Sequence, residues 1–288
     1  MKNKDIIEKI LKYHPTLIKY QGCDDYKCGD PEAECTGVAV ALVPTADVIR
    51  RSAEAGCNLL VVHEPIFYQT PDFPNWMGSF DNRVYEEKRE LIAKTKMTVW
   101  RDHDHMHAHV PDAIFTGVIR ELGWMDYFDK DATAPGCFVF DLPKQKIEEV
   151  ANHLKAKLNL NGLKYVGKLD NEVSRVAIVG HLMPGFGFGT EGIGEDGFYH
   201  DYAMDLMKAM EEDGIELIIP GEIIEWTVIA YIRDAVDLGK NMSCLSIGHY
   251  NIEELGMKDF ADRVRELMPE ENAPKVIYVP TEDGFKYF

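Results

Sequence analysis

GVAVALVPTADVIRRSAEAGCNLLVVHEP, residues 37–65, contains two apolar segments on either side of a helical pattern. The first segment covers residues 37–43. A helix follows that opens at Pro44 and ends at Gly56, and the second apolar segment covers 58–62. A strand, a helix and a strand at this spacing predict a βαβ unit with a right-handed crossover. Because both strands are apolar without alternation, we expect a sheet that is covered on both faces.

The alternation of strands and helices continues on both sides of this unit. An amphipathic helix is predicted within residues 1–20, before it. After it, the pattern predicts strands at 97–100, 137–142, 163–167, 173–180, 215–220, 242–248 and 275–279, and helices at 83–94, 112–122, 145–158, 202–213, 227–238 and 251–267. This order predicts an α/β protein. Because Asp, Lys, Ala, Thr, Pro and Gly are concentrated at 128–135, we expect a boundary there. It would separate an N-terminal lobe of residues 1–130 from a C-terminal lobe of residues 131–288, unless the two form one compact domain.

The 288-residue chain is acidic, with a formal net charge of −18. Such a surface repels phosphate backbones and anionic lipids, so neither nucleic acid nor membrane is expected as a partner. The first 20 residues carry acidic side chains within their amphipathic pattern, which argues against a secretory signal. No run approaches the ~18 apolar residues of a membrane span. We therefore expect a cytoplasmic protein whose six cysteines are reduced.

His63 and Glu64 directly follow the second strand, in the sequence VVHEP. In α/β proteins, ligands gather at the carboxyl ends of strands, where loops and helix N-termini meet. Alternation along a strand would point the two side chains apart, but a bend at Pro65 lets both line one pocket. Taken alone, the dipeptide favours the alternative, a polar exit from the strand.

DHDHMHAH, residues 102–109, directly follows the strand at 97–100 and contains four of the ten histidines of the chain. If this segment is extended, its four histidines share one face and its two aspartates lie on the opposite face. Neutral imidazole suits Zn, Fe, Ni and Cu, and a neighbouring carboxylate widens the choice to Mn. The alternative is a solvated polar loop, but this density of histidine favours a metal site.

His249 and Glu253 lie where the strand at 242–248 gives way to a helix. Asn251 and Glu254 have the spacing of a capping box, which predicts a helix start near Asn251. The four-residue spacing then lets His249 converge with Glu253 in the first turn, where a carboxylate also complements the helix dipole. The alternative is a capping role for Glu253 and a surface position for His249.

The three histidine segments all lie at carboxyl ends of predicted strands, which meet on one side of an α/β sheet. Together they offer at least three imidazoles and two carboxylates. These are enough ligands for two divalent metal ions about 3.5–4 Å apart, an arrangement that activates water for hydrolysis.

Three other features give weaker signals. The glycine-rich segment 185–197 follows a strand but lacks the Lys and the Ser or Thr of a phosphate-binding loop, so we interpret it as a rim of the pocket. Glu222 ends the strand at 215–220 and is a general base, an outer carboxylate or a simple turn residue. Cys23 and Cys28 could bind a metal, although a loop role is the better interpretation.

On these same residues, the sequence resembles the Nif-three-like dinuclear metal-centre family, often called GTP cyclohydrolase type 2 in bacteria. Residues 29–68 are similar to the N-terminal block of that family, which ends in a His-His-Pro motif, and residues 103–123 resemble its His-Thr-Asn-Leu-Asp block. VSRVAIVG, IELIIPGEI and GHYNIEELG resemble the C-terminal blocks in order, so the match spans most of the chain. The resemblance implies two related α/β lobes, mixed sheets covered by helices, and a ring-like homohexamer.

The resemblance also implies a set of metal ligands, which falls on His63, Glu64, His107, His249 and Glu253. Glu64 stands where the family usually has a second His, and His107 stands where it usually has Asp. One carboxylate and one imidazole are thus exchanged, which keeps the total ligand charge. Because the register within 102–109 can slip by one or two positions, Asp104 and His105 remain alternatives to His107.

Together, the residues and the resemblance predict a metal-dependent hydrolase that acts on a small, nucleotide-like substrate. Glu222 would carry the proton, or His103, which matches the His that opens the family's second motif. The two divalent ions would be Zn, Fe, Mn or Ni. The alternative is a non-catalytic protein that binds metal for regulation or storage, whose site would be closed, whereas a hydrolase keeps one coordination position open.

Overall fold

A computed structural model of the chain describes residues 1–69, 72, 77–132, 134, 136–182 and 191–288. Residues 185–190 of the predicted glycine-rich rim lie outside this described part. The chain divides into two compact units. The first comprises Met1–Glu121 and Glu253–Glu282, and the second comprises Leu122–Ile252 and Asp283–Phe288.

The elements alternate along the chain as the hydrophobic pattern predicts. The helices are α1 (Asn3–Tyr13), α2 (Ala46–Glu54), α3 (Arg83–Thr95), α4 (Asp104–His107), α5 (Ala113–Leu122), α6 (Ile147–Leu158), α7 (Tyr202–Glu212), α8 (Ala230–Asp237) and α9 (His249–Glu266). The strands are β1 (Tyr26–Cys28), β2 (Val38–Ala41), β3 (Leu59–Val62), β4 (Thr98–Arg101), β5 (Cys137–Lys146), β6 (Lys164–Val166), β7 (Glu172–Val179), β8 (Gly192–Ile193), β9 (Tyr199–His200), β10 (Leu217–Pro220), β11 (Ser243–Ser246) and β12 (Val276–Tyr278). A short 3-10 helix, Met125–Tyr127, follows α5, and a π-helical segment, Glu225–Ile229, precedes α8.

The sheet of the first unit has the strand order β1-β4-β3-β2-β12. Strands β2, β3 and β4 are parallel neighbours, and every residue in them is buried. Helices α2 and α3 pack against this sheet, with Ile49 and Ile92 in the same core as Leu60. Because β3 and β4 run in the same direction and are adjacent, the residues that follow them emerge side by side.

The strand β12 pairs in parallel with β2, with Ile277 opposite Ala39. This pairing brings Glu253–Glu282 into the first unit. The sequence expectation of a single division at residue 130 places this segment in the C-terminal lobe. The difference arises because strand pairing is a long-range interaction, which local composition does not report.

The sheet of the second unit has the order β5-β7-β10-β11-β6. Its three central strands are parallel, whereas β5 and β6 pair antiparallel at its edges. Helices α7 and α8 contribute Leu206 and Ile232 to a core that also contains Ile218 of β10. Both units are therefore α/β with a mixed sheet, which confirms the predicted fold class.

Within the described part of the chain, each helix is either too short or too polar to cross a lipid bilayer.

Gly256 of α9 lies against the backbone of α5. A Cβ atom at Gly256 would meet the carbonyl oxygen of Ile114 at 2.6 Å. We therefore expect Gly256→Ala to lower the free energy of unfolding by about 1–3 kcal/mol, because a rigid backbone atom must move. Urea denaturation measures this change, and Gly284→Ala is the control because a Cβ there meets nothing within 4 Å. A gain of about 1 kcal/mol, as helix propensity alone predicts, would contradict the close approach.

Candidate metal centre

His63 directly follows β3 and is completely buried. Its Nδ1 atom lies 3.1 Å from the carbonyl oxygen of Asp102, which directly follows β4. A carbonyl oxygen only accepts, so Nδ1 carries the proton and Nε2 presents a lone pair. Among the described residues, Nε2 has no hydrogen-bond partner, and it lies 3.6 Å from Oε2 of Glu253. A buried imidazole nitrogen in this state is a ready metal ligand.

Residues 104–107 are helical, so the extended conformation under which all four histidines would share one face does not occur. Helix α4 spans Asp104–His107, and His103 is its N-cap residue. Helical spacing places His103 and His107 one turn apart on one face, and it removes His105 from that face. In an extended segment, His103, His105 and His107 would all have shared one face.

The helix forms here because Asp24 caps it from a distant part of the chain. The carboxylate of Asp24 accepts hydrogen bonds from the backbone N–H groups of His103, Asp104 and His105, at 2.7, 3.0 and 2.9 Å. The first N–H groups of a helix have no partner within the helix, and a carboxylate satisfies them well. Three imidazoles meet as a result. The donor atoms of His63, His103 and His107 all lie within 4.8 Å of one another.

Each of the three imidazoles also has its Nδ1 atom against an oxygen. Nδ1 of His107 lies 2.5 Å from Oδ2 of Asp112, and Nδ1 of His103 lies 2.8 Å from Oδ1 of Asp104. Oxygen partners on one ring nitrogen fix the tautomer and direct the other nitrogen as a ligand, as is usual in metal sites. Asp112 is not among the residues that the sequence singled out. The one feature of the sequence that could have indicated it is its position directly before α5, where its side chain caps the helix by accepting from the backbone N–H of Phe115.

The surroundings of the cluster shift the pKa values of His63 and His107 in opposite directions. Burial lowers the pKa of His63 well below its ordinary value, and the charge of His103 lowers it further. Burial also acts to lower the pKa of His107, but the hydrogen bond and charge of Asp112, with the charges of Glu253 and Glu64, outweigh it and raise this pKa. The carboxylates of Glu64 and Glu253 thus act on the imidazole cluster.

His249 is the first residue of α9, so this helix begins two residues before the predicted start at Asn251. The predicted capping box is wrong. The side-chain amide of Asn251 donates to the carbonyl oxygen of Ile247, and the carboxylate of Glu254 accepts from the hydroxyl of Tyr278. Glu253 follows His249 by one turn of α9, so the two residues share this helix, whereas the sequence placed His249 before its start.

In the second unit, His249 lies against two other polar side chains. Its ring stacks on that of His181, with ring centroids 3.7 Å apart. Its Nδ1 atom lies 3.2 Å from Oε2 of Glu222. His181 was missed by the sequence reasoning, although it follows β7 and thus had the same strand-end signal as His63.

The remaining predicted alternatives lie in neighbouring groups. His105 belongs with Asp24 and Asp102, and Cys23 belongs with His103 and Asp104. Burial raises the pKa of the Cys23 thiol to about 12. Because a thiol binds metal as the thiolate, this cysteine is a poor ligand at neutral pH.

Comparisons with known proteins agree with the fold. The family model described as Duf34/NIF3 (NGG1p interacting factor 3) matches residues 1–181. The chain is 24% identical over 295 residues to a "GTP cyclohydrolase 1 type 2 homolog" of Clostridium perfringens, with 100% of both chains covered. It is 22% identical over 269 residues to a protein of the same description from Clostridium acetobutylicum, with 88% of this chain and 85% of that one covered.

Two solved structures are similar in fold. A Staphylococcus aureus protein, SA1388, superposes with a TM-score of 0.69 at 15% identity, over 100% of this chain and 99% of that one. A Bacillus cereus protein related to NIF3 gives a TM-score of 0.69 at 13% identity, with the same coverage. Because the family model matches more than half of the sequence, this chain belongs to the Duf34/NIF3 family.

Proposed function

We propose that this protein binds two divalent metal ions and is a metal-dependent hydrolase that acts on a small substrate. One observation carries the proposal. The buried Nε2 atom of His63 has no hydrogen-bond partner among the described residues, and ligand-type side chains surround it. Leaving a buried polar atom unsatisfied is unfavourable, and a cation would satisfy this one.

The residues around His63 fit a divalent cation in number and type. Their donor atoms lie within 4.8 Å of one another, whereas the nitrogen ligands of a tetrahedral Zn²⁺ are ~3.4 Å apart, so the side chains would draw together around the ion. His103 has the same Nδ1 arrangement as His107. We therefore assign His103 to the ligand set rather than to proton transfer. Glu253 supplies the carboxylate.

The second ion of the proposal draws on His249 and Glu64, the two further positions that the family resemblance implies. Glu222 supports this assignment because its carboxylate lies 3.2 Å from Nδ1 of His249. From there it can orient the imidazole or accept a proton from a water molecule. Its exposure favours proton exchange with solvent.

Bound divalent ions would acidify a water molecule and polarise the substrate. The side chains supply the rest. Neutral His63 and the negatively charged carboxylate of Glu253 would hold an ion in place. Glu222 would take up the proton that the water molecule releases. The Clostridium relatives are named as GTP cyclohydrolase 1 type 2 homologs. From this name we take only the proposal that the substrate is nucleotide-like. We also propose a homohexamer, which sedimentation equilibrium can test.

The test begins with metal content. The metal content of protein purified without added metal is measured by inductively coupled plasma mass spectrometry. The protein is then supplied with Mn²⁺, Zn²⁺ or Fe²⁺ and assayed for hydrolysis of nucleotides, phosphodiesters and esters. Two ions per chain together with turnover would support the proposal. Two ions without turnover would replace the hydrolase by a metal-binding or regulatory protein. Absence of ions after incubation with each metal would overturn both functions.

Asp112 gives a sharper test of the imidazole cluster. We expect Asp112→Asn to weaken Zn²⁺ binding ~10–100-fold, because the amide no longer provides a charged acceptor to Nδ1 of His107. Asparagine caps helices as well as aspartate does, so α5 should remain intact. Competition with a chromophoric chelator measures the affinity. Asp126→Asn, at an exposed position, is the matched control. Equal affinities of the two variants would argue against a metal at His107.

A further inference from the structure

Two carboxylates that the proposed centre does not use are buried together in the first unit. Asp24 is 6% exposed and Asp102 is 0% exposed. The side chain of His105 joins them, and the three residues offer donor atoms that lie within 4.8 Å of one another. We refer to Asp24, Asp102 and His105 as the aspartate cluster.

Asp24 is held rigidly within this cluster. Its Oδ1 atom accepts from the backbone N–H groups of His103 and Asp104, at 2.7 and 3.0 Å. Its Oδ2 atom accepts from the backbone N–H of His105 at 2.9 Å and faces Nδ1 of His105 at 2.7 Å. The helix start therefore fixes both the carboxylate and the imidazole in position.

Asp102 leaves one carboxylate oxygen unsatisfied. Its Oδ2 atom lies 3.0 Å from Nε2 of His14, whereas Oδ1 has no hydrogen-bond partner among the described residues. A fully buried carboxylate with an unused oxygen beside a second carboxylate is strongly unfavourable unless a positive charge is present.

The hydrogen bonds around the aspartate cluster can all form when each neighbouring imidazole carries a single proton. Nδ1 of His14 lies 2.9 Å from Nε2 of His109. If each ring carries one proton, His109 donates to His14, His14 donates to Asp102, and His105 donates to Asp24. Every one of these contacts is then satisfied with neutral imidazoles. In this arrangement the surrounding imidazoles bring no positive charge to the two carboxyl groups.

We propose that the aspartate cluster is a site for one further divalent cation, distinct in its residues from the centre at His63. Two carboxylates and one imidazole form an oxygen-rich ligand set, which suits Mn²⁺ or Fe²⁺. On binding, the proton on Nδ1 of His105 would move to Nε2, so that Nδ1 and the Asp24 carboxylate both face the cation, and the unused oxygen of Asp102 would complete the set. Helix α4 thus presents ligands to two different sites, with His103 and His107 at one and His105 at the other.

Mn²⁺ alone is the probe that tests this site. Crystals of the full chain are soaked in MnCl₂, and anomalous scattering is measured at the manganese edge. We expect a peak bounded by Asp24, Asp102 and His105. A peak at the His63 centre alone would overturn this site, which would then be a purely protonated cluster, and would leave the proposed function standing. A peak at the aspartate cluster alone would support this site and count against the proposed centre.

A titration in solution gives an independent readout. Metal-free protein is titrated with Mn²⁺, and free Mn²⁺ is followed by electron paramagnetic resonance. We expect His105→Gln to bind one ion fewer per chain than the wild type, and His63→Gln to retain the ion that His105→Gln loses. His109→Gln is the control, because it alters the same network without removing a ligand. Equal stoichiometry for His105→Gln and the wild type would overturn the site. If His105→Gln fails to fold, as judged by circular dichroism, Asp102→Asn replaces it, with the same expected loss of one ion.

Discussion

Alanine in place of His63 is expected to weaken Zn²⁺ binding by more than the ~10–100-fold that loss of an outer hydrogen-bond partner costs in metal sites. The reason is that His63 is completely buried and lies against the other members of the cluster, with its ring centroid 4.4 Å from that of His103 and 4.9 Å from that of His107. The variant loses the hydrogen bond from Nδ1 to the carbonyl oxygen of Asp102 and leaves a small cavity, so circular dichroism of the metal-free protein is compared with that of the wild type.

Thermal unfolding with and without Zn²⁺ measures this effect. A ligand at 100 times its dissociation constant stabilises a folded protein by about 2.7 kcal/mol. The ion at His63 should give the wild type about this much, and His63→Ala should lose that part of the Zn²⁺-dependent gain. His200→Ala is the matched control, since this histidine lies at the surface in an ion pair with Asp196. The same Zn²⁺-dependent gain in His63→Ala and the control would show that the ion binds elsewhere.

The second large effect concerns Lys88, a lysine of α3 that is only 6% exposed. Its ammonium group donates to the carbonyl oxygen of Ile66. Burial lowers the pKa of Lys88 from 10.5 to about 8, against the opposing charge of Asp72. At a pH between about 8 and 10.5, Lys88 is protonated in the unfolded chain but not in the folded chain. Stability from this group therefore rises as pH increases from about 8 to 10.5, by about 3 kcal/mol.

Lys88→Met should abolish this rise. We expect the variant's free energy of unfolding, relative to the wild type, to fall by about 3 kcal/mol between pH 7.5 and 10.5. Urea denaturation at both pH values provides the comparison, and tyrosines and cysteines that titrate in both proteins cancel in the difference. Lys94→Met, at an exposed position of the same helix, should show no such change. A pH-independent difference for Lys88→Met would mean that the ammonium is not desolvated.

Much of the candidate centre could be predicted because its ligands follow parallel strands. The apolar pattern locates β3 and β4, and two adjacent parallel strands deliver His63 and the residues after Arg101 to the same edge. The four-residue spacing of His249 and Glu253 corresponds to one turn of α9, although the predicted helix start lay two residues after His249. These predictions depend only on periodicity and strand direction, which are local properties of the sequence.

The conformation of residues 102–109 could not be predicted in the same way. Alternating histidines share one face only in an extended segment. The segment is instead helical because Asp24, about 80 residues earlier in the chain, accepts hydrogen bonds from the first N–H groups of the helix. No local signal identifies Asp24 as a cap, because it lies in a polar loop among other acidic residues. The pairing of Asp102 with His14 is equally remote in sequence, so the aspartate cluster could not be seen before the chain was folded.

The parallel pairing of β12 with β2 has a consequence for how the centre is made in the cell. A ribosome releases His63, His103 and His107 on the order of ten seconds before it releases Glu253. Because Glu253 and β12 belong to the same late stretch, Glu253–Glu282, the nascent chain has the imidazoles without this carboxylate or the edge strand. Metal loading is therefore expected to follow the completion of translation.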